Sequence, residues 1–303
     1  MKITSKVAAT GGRIRPFPSS QGIPGMNIFY VDGQFVAENQ AQIPVTDLSV
    51  LRGFGIFDFL RTYNGVPFHL GDHLLRLERS ARLMGLLLPC PVNAMTEIVM
   101  ETLSQNNHKE SNIRIVVTGG ASLDGITPGD SPRLLVMITP VIQMPAEWYT
   151  QGGKIITCNA ERFLPGAKSI NYIPAILCQN EAHSRKAIEA VYLDRDGYLL
   201  EGTTSNFFVL RGDTLITPPC DRVLPGITRQ VILALAGKEF EILERRVHKD
   251  EIRLIDEAFL TSSVKEVAPI VTIDAVGVGN GQPGSRTLRI MEMFREYTAE
   301  YRG

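Results

Sequence analysis

Three segments in the second half of this 303-residue chain carry groups that can act together chemically. Lys168 lies in GAKSINY, Glu201 opens EGTTSN, and Gly226 precedes Ile227 and Thr228 in LPGITRQ. A lysine amine forms Schiff bases with carbonyl compounds, and a carboxylate keeps a heteroaromatic ring nitrogen protonated. Free N–H groups in the first turn of a helix bind phosphate. Pyridoxal 5'-phosphate needs these three kinds of partner, so the ordered combination predicts an enzyme that binds this cofactor.

Each group has an ordinary structural explanation when it is considered alone. Most lysines are solvated surface groups, and a carboxylate such as Glu201, after a short apolar run, is often an exposed turn residue. The Pro225-Gly226 pair is a turn signal in any protein. The order of the three segments is what favours the cofactor over these explanations.

Between about residues 30 and 289 the chain resembles the class IV aminotransferases. These are the fold type IV pyridoxal phosphate enzymes, which include branched-chain aminotransferases, D-amino-acid aminotransferases and aminodeoxychorismate lyase. The matching segments are HLLRLERSA, KSINY, EGTTSN, GITR and FLTSSVKEVAPI, in the family's order and spacing. The resemblance implies an α+β fold with a small N-terminal α/β domain and a larger C-terminal mixed β domain with helices. It also implies a cofactor between the domains and a homodimer whose sites borrow residues from both subunits.

The resemblance assigns roles to individual residues. Lys168 matches the catalytic lysine that forms the Schiff base, Glu201 the partner of the pyridine nitrogen, and Arg76 a ligand of the cofactor phosphate. Tyr172 matches a tyrosine that hydrogen-bonds the phenolic oxygen of the cofactor, and Ser262 a residue that supports Glu201. The other cofactor contacts are implied for Leu224, Gly226, Ile227, Thr228 and Ser263.

Residue periodicity agrees with the role of Arg76. Leu74, Leu77 and Ala81 recur at helical spacing in GDHLLRLERSARLMGL, and Arg76 lies at the edge of this apolar stripe. A long arginine at that position can extend its head group into a site while its stem packs on apolar surface. Arg79 lies on the far face of the helix and is expected to be solvated.

The sequence has fewer matches to the family's substrate-binding residues than to its cofactor-binding residues. RGFGIFDFLR places Phe57 where the family often has a tyrosine, and Gly119 replaces an arginine of typical D-amino-acid enzymes. A carboxylate in a dry pocket requires cationic or N–H partners. Arg52 and Arg114 are the unassigned arginines nearest these elements. Val264 matches the turn that receives the substrate carboxylate in branched-chain enzymes.

We expect an aminotransferase that exchanges an amino group between an α-amino acid and a 2-oxo acid such as 2-oxoglutarate. A carboxylate clamp formed by Arg52 and Arg114 favours D-amino acids. The alternative is a branched-chain L-amino acid aminotransferase, in which these arginines bind the distal carboxylate of glutamate. A lyase acting on aminodeoxychorismate would keep the same cofactor residues, whereas a non-catalytic homologue would be expected to lose Lys168.

Composition excludes several other classes of protein. The net charge of −1 and the pI of about 6.5 give no electrostatic footprint for nucleic acid or an anionic membrane. The most apolar run, LMGLLLPCPV, is too short to span a bilayer. Cys90, Cys158, Cys178 and Cys220 lack metal-binding spacing, so we expect reduced thiols and a cytoplasmic location. His69 and His73 lack a third ligand, and surface or capping roles are expected instead of a metal site.

Composition also predicts the domain organisation. Residues 1–25 lack periodicity and are expected to be a flexible leader, residues 26–140 the small domain, 141–151 a linker, and 152–303 the large cofactor-binding domain.

In the small domain the pattern predicts strands over 28–36, with a turn at Asp32-Gly33, and over 55–63, 113–118 and 134–139. It predicts helices over 72–85 and 92–106. In the large domain it predicts a strand over 154–158, a helix over 174–190, hairpins turning near Gly197 and Gly212, a helix ending at Gly237, and a last helix from residue 288.

Overall fold

The computed structural model describes residues 26–303, which form two β-sheets with helices packed against them. The predicted flexible leader, residues 1–25, lies outside the described residues. Within the described range, no helix is long and apolar enough to cross a membrane. The mixture of helices and strands, with a smaller sheet followed by a larger one, confirms the predicted α+β class.

The N-terminal sheet is antiparallel, with strand order β2-β1-β6-β5-β3-β4. Its strands are β1 (Ile28–Val31), β2 (Gln34–Ala37), β3 (Gly55–Tyr63), β4 (Val66–Pro67), β5 (Ser111–Thr118) and β6 (Arg133–Pro140). The helices of this half are α1 (Leu48–Arg52), α2 (Leu70–Met84) and α3 (Val92–Ser104), with a 3-10 turn at Glu38–Gln40. Leu74 and Leu77 of α2 and Met95 of α3 share one apolar core with Ile113 and Ile115 of β5. The helices therefore cover one face of this sheet.

The C-terminal sheet is mixed, with the order β12-β11-β10-β14-β15-β7-β8-β9-β13 and β16 paired to β15. Its strands are β7 (Gly153–Asn159), β8 (Glu189–Leu193), β9 (Tyr198–Gly202), β10 (Asn206–Arg211), β11 (Thr214–Thr217), β12 (Glu241–Glu244), β13 (Val247–His248), β14 (Glu257–Ser262), β15 (Glu266–Ile273) and β16 (Val276–Gly277). Its helices are α4 (Glu147–Thr150), α5 (Ile173–Ser184), α6 (Ile227–Ala236) and α7 (Ser285–Ala299), with a 3-10 helix at Lys249–Leu254. Every residue of β8 is buried because apolar clusters cover both faces of the sheet.

Most predicted elements are confirmed to within a few residues, including the turn at Asp32-Gly33 and both hairpins. The predicted helix over 174–190 is too long at its C-terminal end. The helix ends at Ser184, Lys186 adopts a left-handed φ of 56°, and Glu189 already belongs to β8. The last helix begins at Ser285, three residues before the prediction.

The segment predicted to be a linker, residues 141–151, contains the one-turn helix α4. A single turn is too short to produce a helical period in the sequence. Tyr149 of this turn packs against an apolar cluster of the C-terminal half, and its hydroxyl donates to the Lys265 carbonyl at 3.1 Å. The end of the predicted linker is therefore packed on the C-terminal sheet.

The prediction of four reduced thiols is wrong for two of the cysteines. A disulfide joins Cys158, in β7, to Cys178, in α5, while Cys90 and Cys220 remain free. The two joined residues are 20 positions apart, without a local motif. They meet because α5 packs on β7 and brings their Cα atoms to 6.0 Å, within the range that a disulfide spans.

The two halves of the chain are joined by main-chain pairing around Lys168. The Phe57 N–H of β3 donates to the Lys168 carbonyl at 2.9 Å, and the Ile170 N–H donates to the Gly55 carbonyl at 3.0 Å. The Lys168 N–H in turn donates to the Ser80 hydroxyl of α2 at 3.0 Å. A segment from the C-terminal half is thereby held against β3 and α2, and a cavity forms beside it.

Neighbouring leucines in α2 test how the N-terminal core is packed. Leu74 is fully buried and Leu75 is 56% exposed. Leu74→Ala should lower the free energy of unfolding by about 2–5 kcal/mol, because it removes buried methyl groups and leaves a cavity. Leu75→Ala should change it by less than about 0.5 kcal/mol. Denaturant unfolding of both variants, followed by circular dichroism, would measure the difference, and equal losses would contradict the packing described here.

Candidate active site

A cavity of about 300 Å³ lies between the two halves of the chain. Its walls come from β3 and β5 of the N-terminal sheet, from α2, from the Lys168 segment, from the loop after β9, from the start of α6 and from the turn between β14 and β15. All predicted site residues line it except Arg52: Phe57, Arg76, Arg114, Lys168, Tyr172, Glu201, Leu224, Gly226, Ile227, Thr228, Ser262, Ser263 and Val264. Residues from widely separated parts of the sequence therefore meet at one cavity.

Lys168 extends its amine into this cavity, with Nζ 4.8 Å from the centroid of the Phe57 ring. Desolvation of the amine lowers the pKa of Lys168 to about 7, and the positive charge of Arg76 adds to the effect. A large fraction of the side chain is therefore neutral near pH 7. A neutral amine is the form that attacks carbonyl groups and accepts protons.

Glu201, at the end of β9, is buried and bound by two donors. The Arg162 guanidinium donates to one carboxylate oxygen at 3.1 Å, and the Leu224 N–H donates to the other at 3.0 Å. Burial raises the pKa of Glu201, whereas Arg162 acts in the opposite direction. Ser262, which the resemblance assigns to the support of Glu201, forms no hydrogen bond with it within residues 26–303; its hydroxyl accepts the Lys265 N–H at 3.1 Å.

Arg162 is the residue that the sequence analysis missed in this part of the site. Besides Glu201, it donates to the carbonyl of Pro165 at 3.0 Å and to the carbonyl of Ala167. It thus ties the buried carboxylate to the main chain that immediately precedes Lys168. A buried carboxylate implies a nearby cation, but that rule does not select Arg162 among the arginines of the sequence.

The opposite end of the cavity fits an anion. Arg76 lines it, and the first turn of α6 presents the N–H groups of Ile227 and Thr228, which have no acceptor within residues 26–303. Unpaired first-turn donors and the positive end of a helix favour phosphate. A Cβ on Gly226 would overlap the side-chain oxygen of Asn206, so a larger residue at this helix start would require the Asn206 side chain to move.

One carboxylate organises two of the loops that line the cavity. Glu189, fully buried at the start of β8, accepts hydrogen bonds from the hydroxyls of Thr203 and Ser205, at 3.0 and 2.8 Å. Lys265 pairs with the same carboxylate at 3.1 Å and donates to the Thr204 hydroxyl at 2.8 Å. The loop after β9 is therefore fastened to the turn that precedes β15. No motif in the sequence marks Glu189 or Lys265 as part of the site.

Arg114 lies at the side of the cavity formed by the N-terminal sheet. Its guanidinium carbon is 5.3 Å from the centroid of the Phe57 ring and 5.0 Å from that of Phe59. The Arg114 side chain is exposed, although its partial burial lowers its pKa by desolvation, and no aspartate or glutamate in the described part of the chain forms an ion pair with it. Tyr172 packs edge-on against Phe57, and burial raises the pKa of its hydroxyl, which keeps it protonated. Arg114 is therefore a cation available to a ligand.

Arg52 does not join Arg114, so the predicted two-arginine clamp is not formed within the described residues. Arg52 is the last residue of α1, and Gly53 then reverses the chain with a φ of 64° before β3 begins. Its exposed guanidinium donates to the Leu51 carbonyl at 2.9 Å. It lines a neighbouring cavity of about 750 Å³, which shares Arg162, Tyr172 and Thr203 with the first one.

The side chains present fit pyridoxal phosphate. The amine is desolvated, the carboxylate is buried beside the Arg162 guanidinium, and the anion site has N–H donors without an acceptor in residues 26–303. The Thr261 hydroxyl, on the wall of the same cavity, is buried and has no partner within the described residues. These groups are what the aldehyde, the ring nitrogen and the phosphate of the cofactor require.

Comparison with known proteins agrees with this geometry. The family model for amino-transferase class IV matches residues 55–273. A protein of Methanocaldococcus jannaschii with the provisional name branched-chain-amino-acid aminotransferase is 33% identical over 279 residues, covering 90% of this chain and 96% of that protein. The D-alanine aminotransferase of Listeria monocytogenes is 31% identical over 273 residues, covering 88% of this chain and 94% of its own length.

A solved structure supports the same grouping. The branched-chain amino acid aminotransferase of T.th., solved with pyridoxamine 5'-phosphate, superposes with a TM-score of 0.85 at 26% identity, over 92% of this chain and 96% of that one. The segment matched by the family model includes every predicted site residue except Arg52. By sequence, fold and the arrangement of its cavity, the chain belongs to the class IV aminotransferases, the pyridoxal phosphate enzymes of fold type IV.

Proposed function

We propose that this enzyme transfers an amino group between branched-chain L-amino acids and 2-oxoglutarate, with pyridoxal 5'-phosphate as cofactor. The observation that carries the proposal is Arg114, an arginine without an ion-pair partner within residues 26–303, on a wall that is otherwise apolar at Phe57 and Phe59. An apolar wall accepts an aliphatic side chain, and one arginine suffices for the second carboxylate of glutamate or 2-oxoglutarate. The branched-chain relatives support the same choice.

The proposed cofactor contacts are divided between the two ends of the cavity. Lys168 forms the covalent link, Glu201 faces the ring nitrogen, and the Tyr172 hydroxyl donates to the phenolic oxygen. Leu224 packs on the ring. The phosphate is held by Arg76, by the start of α6 from Gly226 to Thr228, and by Ser263. When it is bound, pyridoxal phosphate supplies a ring that takes up the negative charge developing at the substrate Cα.

Lys168 is the proposed acid and base. Its amine, with a pKa of about 7, would accept the proton from the substrate Cα and would return it to the carbon of the cofactor's aldehyde group. The carboxylate of Glu201 is the proposed partner of the protonated ring nitrogen. Burial raises its pKa, while the Arg162 guanidinium and the Leu224 N–H, which donate to its two oxygens, act in the opposite direction.

The proposed substrate contacts use the turn before β15. The N–H groups of Ser263 and Val264 have no acceptor within residues 26–303, and both residues line the cavity. They are suited to receive the α-carboxylate of the substrate. Arg114, on the other side of the cavity, would bind only the distal carboxylate of dicarboxylic substrates.

D-amino-acid transamination, the main expectation from the sequence, becomes the second candidate. The relative from Listeria monocytogenes supports it. Its structural basis was the clamp of Arg52 and Arg114, and these two arginines line different cavities. An aminodeoxychorismate lyase would retain the same cofactor residues, and it would release product without an amino acceptor.

We also propose that the enzyme acts as a homodimer. Ile126 and Phe163, on the wall of the neighbouring cavity, are largely exposed, as are Ile173 and Ile176 at the start of α5. Exposed apolar side chains grouped around one cavity are typical of a surface that is covered in the assembled protein. A second copy of the chain would cover them and would complete the wall that carries Arg52.

The acidity of Lys168 predicts how the rate of cofactor attachment depends on pH. Because only the neutral amine is nucleophilic, the rate for the apoenzyme should rise as the pH increases through about 7 and level off above about pH 8. An unperturbed lysine would give a rate that is still rising near pH 10. Stopped-flow absorbance would measure the rate. Borohydride trapping should place the label on the peptide containing Lys168, and a label on another lysine would contradict the assignment.

The role of Glu201 is tested by Glu201→Gln. The variant should still bind the cofactor, but its half-reaction with an amino acid should slow by about a hundredfold or more, because a neutral ring is a poorer acceptor of charge. Glu161→Gln is a matched control: its carboxylate neighbours Arg162 in sequence but pairs with Arg222. Single-turnover absorbance changes would give both rates, and an unchanged rate for Glu201→Gln would remove this residue from its role.

A panel of amino donors tests the substrate proposal. L-leucine, L-isoleucine and L-valine should react with 2-oxoglutarate far faster than D-alanine or D-glutamate. Arg114→Leu should raise KM for 2-oxoglutarate about tenfold or more, as expected when a hydrogen bond to a charged group is lost, and should leave the half-reaction with L-leucine within about threefold. Faster turnover of the D-amino acids would establish the second candidate instead.

A further inference from the structure

Asp58 is a buried carboxylate for which the sequence analysis found no role. It lies in the middle of β3, next to Phe57, and has no solvent exposure. Successive residues of a strand point to opposite faces, so Phe57 reaches the cavity while Asp58 faces α2. An aspartate is uncommon at the centre of a buried strand, and it is stable there only with charged or hydrogen-bonding partners.

Two side chains of α2 bind the Asp58 carboxylate. Arg76 donates to it through Nε at 2.9 Å and through Nη2 at 2.7 Å, and His73 contacts it through Nδ1 at 2.6 Å. The expected surface or capping role of His73 is therefore wrong, because its ring is buried beside Asp58. Burial alone would raise the pKa of Asp58, but Arg76 and His73 outweigh burial and hold it below its usual value.

These contacts fix the direction of the Arg76 guanidinium. Two of its five N–H groups point to Asp58, and Nη1 donates a third to the Pro225 carbonyl at 3.2 Å, just before α6. Nη2 also lies 3.3 Å from His73 Nδ1, but that nitrogen carries the hydrogen donated to the ionised Asp58 and cannot accept another. The two hydrogens that remain, one on each terminal nitrogen, are therefore left for the cavity that Arg76 lines. The planar fork is thereby held beside the first turn of α6 before any ligand arrives, and preorganised donors bind an anion more tightly than mobile ones.

We propose that Asp58 is a positioning residue for the phosphate of the cofactor: it aims Arg76 at the anion site formed with the start of α6. The proposal rests on the role of Arg76 in the proposed function. The competing possibility is that Asp58 only neutralises Arg76 in the core. In that case its removal would leave a stronger positive charge in the cavity, and phosphate would bind more tightly.

The two possibilities differ in what they predict for cofactors with and without phosphate. Dissociation constants of pyridoxal phosphate and of pyridoxal would be measured for the apoenzyme of the wild type and of Asp58→Asn, Arg76→Gln and the double variant. Asp47→Asn is a matched control, because Asp47 is equally buried in the same half of the chain and binds the Ser49 N–H and the Thr118 hydroxyl. It should leave the ratio of the two constants unchanged.

We expect Asp58→Asn to weaken pyridoxal phosphate about tenfold to a hundredfold, the usual effect of removing a residue that orients a ligand-binding group. Pyridoxal should change by less than about threefold. In the Arg76→Gln background, Asp58→Asn should have no further effect, because Asp58 acts through Arg76. Tighter binding of pyridoxal phosphate by Asp58→Asn, or equal weakening of both cofactors, would overturn the proposal.

The double variant keeps the proposal testable if Asp58→Asn alone does not fold. It removes both partners of the ion pair, which destabilises less than leaving one of them unpaired. A double variant that binds pyridoxal phosphate several times more weakly than Arg76→Gln would contradict an action through Arg76. If Arg76→Gln itself leaves the ratio for the two cofactors unchanged, Arg76 is not the phosphate ligand, and the proposed function fails at that residue independently of Asp58.

Discussion

The cavity depends on the short main-chain pairing between the Lys168 segment and β3. The chain from Gly166 to Tyr172 belongs to the C-terminal half, yet hydrogen bonds at Phe57 and Ile170, with a third at Ser80, hold it against the N-terminal sheet. Hydrogen bonds are directional, and these three, two between backbone groups and one to a side-chain hydroxyl, orient the segment with little remaining freedom. The lysine amine therefore has a defined position relative to β3, α2 and the carboxylate at the end of β9.

Buried ion pairs then set the charge of each group around this lysine. Glu201 is matched by Arg162, Asp58 by Arg76, and Glu189 by Lys265. Each pair satisfies its own charge, since an uncompensated ion in the interior would be strongly destabilising. Within residues 26–303 Lys168 has no such partner and its desolvated amine loses its proton readily, and Arg114 keeps its charge for a ligand. The paired groups therefore have structural roles, whereas Lys168 and Arg114 are available for reaction and for ligand binding.

The directions of Arg52 and Arg114 explain why the proposed substrate differs from the one expected from the sequence. Arg52 and Arg114 both lie near the substrate elements of the sequence, and both are flanked by apolar residues. In the fold, α1 ends at Arg52 and directs it to the neighbouring cavity, while the register of β5 against β3 sets Arg114 beside Phe57 and Phe59. Proximity in the sequence did not distinguish these two directions.

The sequence by itself determined the family, the fold class and most residues of the candidate site. Motif spacing located Lys168 and Glu201, and helical periodicity placed Arg76 at the edge of the buried stripe of α2. Such signals arise from residues that are close together in the sequence, so they can be recognised from the order of the residues alone. Only the tertiary structure revealed Arg162 beside Glu201, 39 residues apart, Asp58 beside Arg76, the Cys158–Cys178 bond and the separation of Arg52 from Arg114. These outcomes depend on how sheets and helices pack and on where each side chain then points, which no local pattern specifies.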